Sequence, residues 1–519
     1  MKTKGRRDVA TPTQGDQTDE NEKQDEARFR WVLGVPYFVQ GTSHLTEVPI
    51  LYFIKFSLGM GEAGGQLFDS LRNVGWFIKP VWGLISDRVP LFGYRRKSWF
   101  VLMAFLAMAF WAVSALLSAL GVRTPAIFLV SFNLAFATYA FVDVVCDALM
   151  VERGRRSGKV GTFVNFQWGA LAVANAGSVM LGSYFQTLIQ DGQLQPWVVF
   201  AATGVPPLAT AYVGLRNIKE DRQQAEAGPP VTHRLANAGH ALVGGVARVG
   251  RRLPGFVGAF RRFRQQNRLI WYLVLFLFFW KFNPSVGFIE RSYLIDERGF
   301  SATSFGLVLS LGGLSFLASV LAYAWITRRF PKVRWEHYLY AMVFLGVLSF
   351  PLSFFLYLEP GHPWWEAIYF TVPDALNPLP TWNRYEWFRL LVQTLLGFAT
   401  IPAFLVPLTI AGETVSLTYA GVSYAFLMSL TNVTNMFEGV VGAGLYDLLT
   451  RPWMTWLVSG FQHSLFDIAG TGDTRTAILE IFVYISLVFS LLTIPFILLL
   501  KRELTRRGIE IHLAGRTEV

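Results

Sequence analysis

The chain has 519 residues, of which 53% are hydrophobic and only 16% charged, and its mean hydropathy is +0.38. That leaves too little polar surface to cover a water-soluble body of this size, which excludes a soluble enzyme. A net charge of +11 would suit nucleic acid if the cations shared one folded face; they fall in alternate loops instead, so no nucleic-acid partner is expected.

Residues 1–30 are polar, with acids and bases mixed, and read as a disordered cytoplasmic tail. Their acids argue against a transit peptide, and no cleavable signal is visible. Roughly twelve apolar stretches follow, each close to the ~20 residues a span requires. They are expected near 31–58, 65–86, 97–119, 125–150, 159–188, 196–215, 268–295, 302–327, 335–358, 386–412, 416–448 and 476–500. The fold class is therefore an all-α membrane protein. Its one cysteine, Cys146, lies inside a span and excludes an intramolecular disulfide.

The loops alternate in charge. Arg88, Arg95, Arg96 and Lys97, then Arg153, Arg155, Arg156 and Lys159, then Arg328, Arg329, Lys332 and Arg334, then Lys501, Arg502, Arg506 and Arg507 fall on one side. The opposite loops carry little beyond Arg123, Arg298, Arg384, Arg451 and Arg475. The positive-inside rule makes the first set cytoplasmic and puts both termini there. A multi-pass protein of the bacterial inner (plasma) membrane is expected, with membrane lipids among its partners.

The spans divide into an N-terminal bundle of six over 31–215 and a C-terminal bundle of six over 268–500, with a cytoplasmic tail at 501–519. The Arg-rich linker between them, 216–267, suits either a basic amphipathic helix on anionic lipid or a plain connector. The loop 359–385, with Trp364, Trp365 and Trp382, is expected at the outer interface. Phe136-Ala137-Thr138 ahead of Glu152 repeats as Phe398-Ala399-Thr400 ahead of Glu413, a trace of parallel repeats.

Charge in hydrocarbon costs about 3 kcal/mol at mid-helix, so such groups face a cavity or a partner. On the first span Tyr37, Gln40, His44, Glu47, Leu51 and Lys55 recur at helical steps and form one polar stripe. Arg72, Trp76, Lys79 and Gly83 do the same on the second, and Tyr139, Asp143 and Asp147 on the fourth. By the rise per residue, Lys79 lies roughly 12 Å above Asp87 and Asp143 roughly 15 Å above Arg153. At such similar depths an ammonium and a carboxylate could neutralise each other, either to be exchanged for a substrate or as a permanent structural pair. In the seventh span Lys281, Asn283, Pro284 and Gly287 predict a bent, cavity-lining helix, with Glu290 and Arg291 at its outer end as a gate. Gly169, Ala172 and Ala176, with Gly439, Gly442 and Gly444, read as close-packing faces.

The stretch Lys79 to Arg96, KPVWGLISDRVPLFGYRR, resembles the loop between the second and third helices of major facilitator transporters, and in its longer form the folate–biopterin transporter family. Tyr37-Phe38-Val39-Gln40-Gly41 with Lys55, Asp143 through Arg153, Asn283-Pro284-Ser285, Gly299-Phe300-Ser301 and Ser429-Leu430-Thr431-Asn432 are similar to the same family. The resemblance implies twelve helices in two pseudo-symmetric bundles, and a proton-coupled symporter of folates or pterins. Lys79, Asp87, Asp143 and Asp147 are the positions it carries over. His44, Glu47 and Phe56 depart from the family pattern, and these departures bear on the cargo more than on the fold.

That cargo suits the stripes. A pterin's donor–donor edge fits one carboxylate, Asp143 or Glu47, while Trp76, Tyr139 or Trp280 could stack on the ring. Lys79 and Lys281, with Asn283 beside them, could meet an anionic tail. For protons, His44 is the intramembrane side chain whose ordinary pKa lies near neutrality, with Glu47 and Asp143 as the other candidates. Asp87, Arg88, Arg95, Arg96, Asp147, Glu152, Arg153 and Glu413 are expected to clamp helix ends during the cycle. Two other functions fit the same fold: transport of another organic anion, or a non-transporting assembly factor for pigment–protein complexes. No metal or cofactor motif is present in the sequence.

Overall fold

The computed structural model describes residues 14–157, 160–220, 268–282, 284, 286–330, 332–358, 362–369, 371–372, 382–414, 420–461, 474–509 and 511. The Arg-rich linker from 221 on, and 373–381 of the Trp-rich loop, lie outside them. The described helices fit the twelve expected spans. Lys97–Ala119, Pro125–Met150, Pro196–Asn217, Ala302–Arg329 and Thr474–Arg506 are each long and apolar enough to cross a bilayer.

One expectation changes at the N-terminus. The first helix begins at Gln14, so the tail is helical from residue 14 rather than disordered to 30. Its charges have partners: Arg30 pairs with Glu26 one turn earlier at 2.8 Å, and Asp25 meets Lys219 at 2.9 Å. Phe29 is buried edge-on against Phe163, with ring centroids 5.3 Å apart.

Prolines decide where three helices break, because each lacks the N–H that the carbonyl four residues earlier needs. Pro49 would leave the Leu45 carbonyl free, and the first span turns there as a tight 3-10 segment, Ser43–Thr46. Local hydroxyls cover the strain: Thr42, Ser43 and Thr46 donate to the carbonyls of Val39, Gln40 and Ser43 at 2.6, 2.7 and 2.9 Å. Pro80 breaks the second span before Lys79–Arg88, and the Trp82 indole N–H takes the Gly75 carbonyl at 2.9 Å. Around Pro284 the seventh span stops at Lys281 and resumes as Gly287–Arg298, the bend expected there. The Phe288 N–H, in the first turn of the resumed helix, donates to Gln66 Oε1 of the N-terminal half at 2.8 Å.

The halves meet along the fifth and eighth spans, where Ser310 donates to the Ala176 carbonyl at 2.7 Å and Thr187 meets Thr303 at 3.0 Å. Ser183 lies directly against Gly306, and Ser70 against Gly439. Gly439 is thus a close-packing glycine, whereas Gly169 and Gly444 face open space. The N-terminal half is centred on the rings of Trp111, Phe128, Phe132, Phe136 and Phe200, where Trp111 stacks on Phe200 and meets Phe136 edge-on while Phe132 packs at a tilt against Trp111 and Phe200.

Candidate functional site

The three polar stripes converge on one cavity of about 270 Å³. Tyr37, Gln40, His44 and Glu47 face it from the first span, Arg72, Trp76 and Lys79 from the second, and Asp143 and Asp147 from the fourth. The fifth span adds Val164, Gln167 and Trp168.

On its wall, Lys79 Nζ lies 2.6 Å from Asp143 Oδ2 and 4.7 Å from the centroid of the Trp76 ring. The pair forms because the second and fourth spans nearly touch at Gly75, where a Cβ would sit 2.5 Å from the Ala137 Cα. One turn further, Asp147 Oδ1 accepts from the Tyr37 hydroxyl at 2.7 Å. Asp147, on the fourth span's polar stripe and expected to clamp a helix end, lines the cavity.

At the cavity's deep end four charges alternate in sign. Glu47 meets Arg72 at 3.2 Å and Arg291 at 3.0 Å. Asp69 meets the same two guanidiniums at 2.8 and 3.3 Å. Two acids and two bases leave the group neutral, which is what allows four ions to share a buried site. Arg291 comes from the seventh span, so the group ties the two halves together.

A second layer lies beyond it, at the end opposite the basic loops. A π turn, Phe53–Ser57, carries Lys55 across to Asp296 at 2.7 Å and to Ser292 at 2.5 Å. Arg475 meets Asp296 at 3.1 Å and also pairs with Glu62, which accepts from the Tyr446 hydroxyl. Glu290 and Arg389 join the seventh and tenth spans at 2.8 Å.

At the basic end, Arg96 reaches Glu152 at 3.0 Å and Ser86 at 2.9 Å. Glu220 accepts the backbone N–H groups of Arg95, Arg96 and Lys97 at 2.7, 3.0 and 2.9 Å. A carboxylate there satisfies the free donors of the third span and the positive end of its dipole. Arg153 turns to Asp25 at 3.4 Å. Asp25's carboxyl is held below its ordinary range, chiefly by the hydrogen bond from Lys219.

Several expected residues stand elsewhere. Tyr139 is buried in the aromatic core and accepts from the Trp111 indole at 3.2 Å, beside a void of only about 10 Å³. It does not line the main cavity; Trp76 does. Asn283 and the side chains of Lys281, Asp87, Arg88 and Glu413 lie outside the described residues. Asp69, Gln167 and Glu220 did not stand out in the sequence. For Asp69 a signal existed, since Glu62, Gln66 and Asp69 share one helix face by their spacing; for Glu220 nothing local marks the role.

The sequence profile of the BT1 family matches residues 40–356. The folate-biopterin transporter of Synechocystis is 30% identical over 287 residues, 54% of this chain and 51% of that protein. Folate transporter 1 of Plasmodium falciparum is 30% identical over 120 residues, 22% of this chain and 23% of that protein. The chain thus spans about half of the length of the first relative and about a quarter of the second. Among solved structures, a proton-dependent oligopeptide transporter superposes with a TM-score of 0.62 at 14% identity, covering 92% of this chain and 99% of that one. The nucleoside transporter NupG gives 0.54 at 13%, covering 91% and 99%. These likenesses establish the major facilitator fold.

Proposed function

This chain belongs to the BT1 family and is a multi-pass integral membrane protein, and on that premise we propose that it carries a folate or pterin across the membrane by alternating access, coupled to protons. The observation that carries this reading is the Lys79–Asp143 pair, 2.6 Å long, open to a mid-depth cavity beside an indole face.

Taken alone, a buried pair in hydrocarbon costs more than two apolar side chains, so a reason for keeping it lies in exchange. A proton delivered to Asp143 releases the Lys79 ammonium, which is then free for a substrate carboxylate. The substrate's ring lies against Trp76. Its donor–donor edge is read by a carboxylate, and Asp147 is better placed for this than Glu47, which two arginines already engage. His44 lines the same cavity and can pass the proton, with Glu47 as its neighbour. Lys281 and Asn283 remain candidate ligands from the other half.

The ionic layers at the end opposite the basic loops support a conformation closed there and open toward the basic end, which we take as cytoplasmic. The Arg96, Glu152, Asp87, Arg88, Arg95, Arg153 and Glu413 positions then supply the clamp for the opposite closure. The specific membrane is the bacterial inner membrane in this reading.

The test is uptake of labelled folate into proteoliposomes with and without an acid-outside gradient. Gradient-stimulated uptake that disappears in Lys79→Met and Asp143→Asn is expected. Binding without flux under every gradient would point to an assembly role, and a panel in which only unrelated anions move would replace the cargo.

A further inference from the structure

Gln167 sits on the fifth span with only 1% of its surface exposed, yet among the described residues its amide nitrogen has no hydrogen-bond partner. It faces the same cavity as Lys79, Asp143, Asp147 and Trp76. A buried amide donor left unpaired is unfavourable and is retained where its partner arrives later. The charged groups around it divide the available chemistry, and of the neutral side chains lining the cavity, among the described residues, Gln167 is the one with a buried donor left unpaired. Carboxylates only accept, Lys79 is committed to Asp143 or to an anionic tail, and Arg72 is held between Glu47 and Asp69.

We infer that Gln167 is a specificity-determining donor that hydrogen-bonds the ring carbonyl adjoining the pterin's donor–donor edge. The inference rests on the folate reading above and sharpens it. A carboxylate satisfies the ring amine and ring N–H but leaves the neighbouring carbonyl unmet. A neutral amide N–H meets that carbonyl without adding charge to the cavity. A pteridine with an amino group in place of the carbonyl presents a donor there, so donor faces donor as the amide stands; an amide that turned over would accept from it and erase the preference.

The experiment uses the full-length protein in detergent, with folic acid and its 4-amino counterpart, aminopterin, as probes. Gln167→Met keeps the side-chain length and removes its polarity. Wild type should bind folic acid at least about tenfold more tightly than aminopterin. In Gln167→Met folic acid should weaken by about tenfold, aminopterin should stay within about threefold, and the melting temperature should hold or rise, because no internal hydrogen bond is lost. An unchanged preference in Gln167→Met overturns the assignment while leaving the folate reading intact, as does equal weakening of both probes. A fall in melting temperature of several degrees makes the amide structural and also overturns it. If wild type binds neither compound, the folate reading falls and this inference falls with it.

Discussion

Removing the Lys79 ammonium tests whether the cavity pair is one unit or two independent charges. Asp143 is 5% exposed, and Lys79→Met leaves its carboxylate without the partner now at 2.6 Å. Breaking one side of a buried pair costs about 3–5 kcal/mol, and the lost cation–π contact with Trp76 adds about 1 kcal/mol. Asp143→Leu alone strands the ammonium in the same way. The double variant Lys79→Met/Asp143→Leu leaves no ion behind and should return to within about 2 kcal/mol of wild type. The expected coupling is then about 5 kcal/mol or more, well beyond the few tenths seen for independent sites. Unfolding of the detergent-solubilised protein, followed for wild type, both single variants and the double, measures it directly. Strict additivity would refute the pairing. A double variant that folds and still transports folate at the wild-type rate would remove these two charges from the site altogether.

Arg291→Leu removes contacts at 3.0 and 3.3 Å that join the halves, and should shift the population toward opening at that end by roughly ten- to a hundredfold. Faster labelling of a Ser43→Cys variant by an impermeant thiol reagent from that side measures the shift against a background whose one native cysteine, Cys146, is buried; an unchanged rate would deny the gating role. Gly75→Leu must push on the Ala137 backbone, which a Cβ would approach to 2.5 Å, so a loss of about 1–3 kcal/mol or more is expected, with weaker folate binding as Lys79 and Asp143 separate; wild-type melting would contradict the close approach. At the basic end, Asp25's depressed pKa means its tie to Lys219 stabilises above the unfolded value of about 3.9 and is lost as pH falls through the lower folded value. The melting difference between wild type and Asp25→Asn, at most about 1 kcal/mol for so exposed a pair, should therefore persist from pH 8 to about 4 and close below it.

Much of the fold was legible because the bilayer imposes a simple rule on each segment. Spans such as Lys97–Ala119 and Ala302–Arg329 announce themselves by length and apolarity, and Pro284 marks a break through a missing N–H. The polar stripes were legible for the same reason: His44, Glu47, Lys79 and Asp143 are costly in lipid and must turn inward. The helical tail from Gln14 was not, since a mixed-charge stretch reads as solvated until Lys219 and Phe163 are known to lie beside it.

The sequence alone thus pointed to polar side chains sharing a chamber, and to three of the helices that line it, because periodicity and depth are properties of one helix at a time. Which charges meet was decided only by tertiary structure. Glu47 finds Arg291, Lys55 finds Asp296 and Asp25 finds Lys219 across 244, 241 and 194 residues of chain, and Tyr139 is drawn into the aromatic core instead of the cavity. Such pairings depend on how closely helices approach at points such as Gly75, a matter of packing between segments that no single segment encodes.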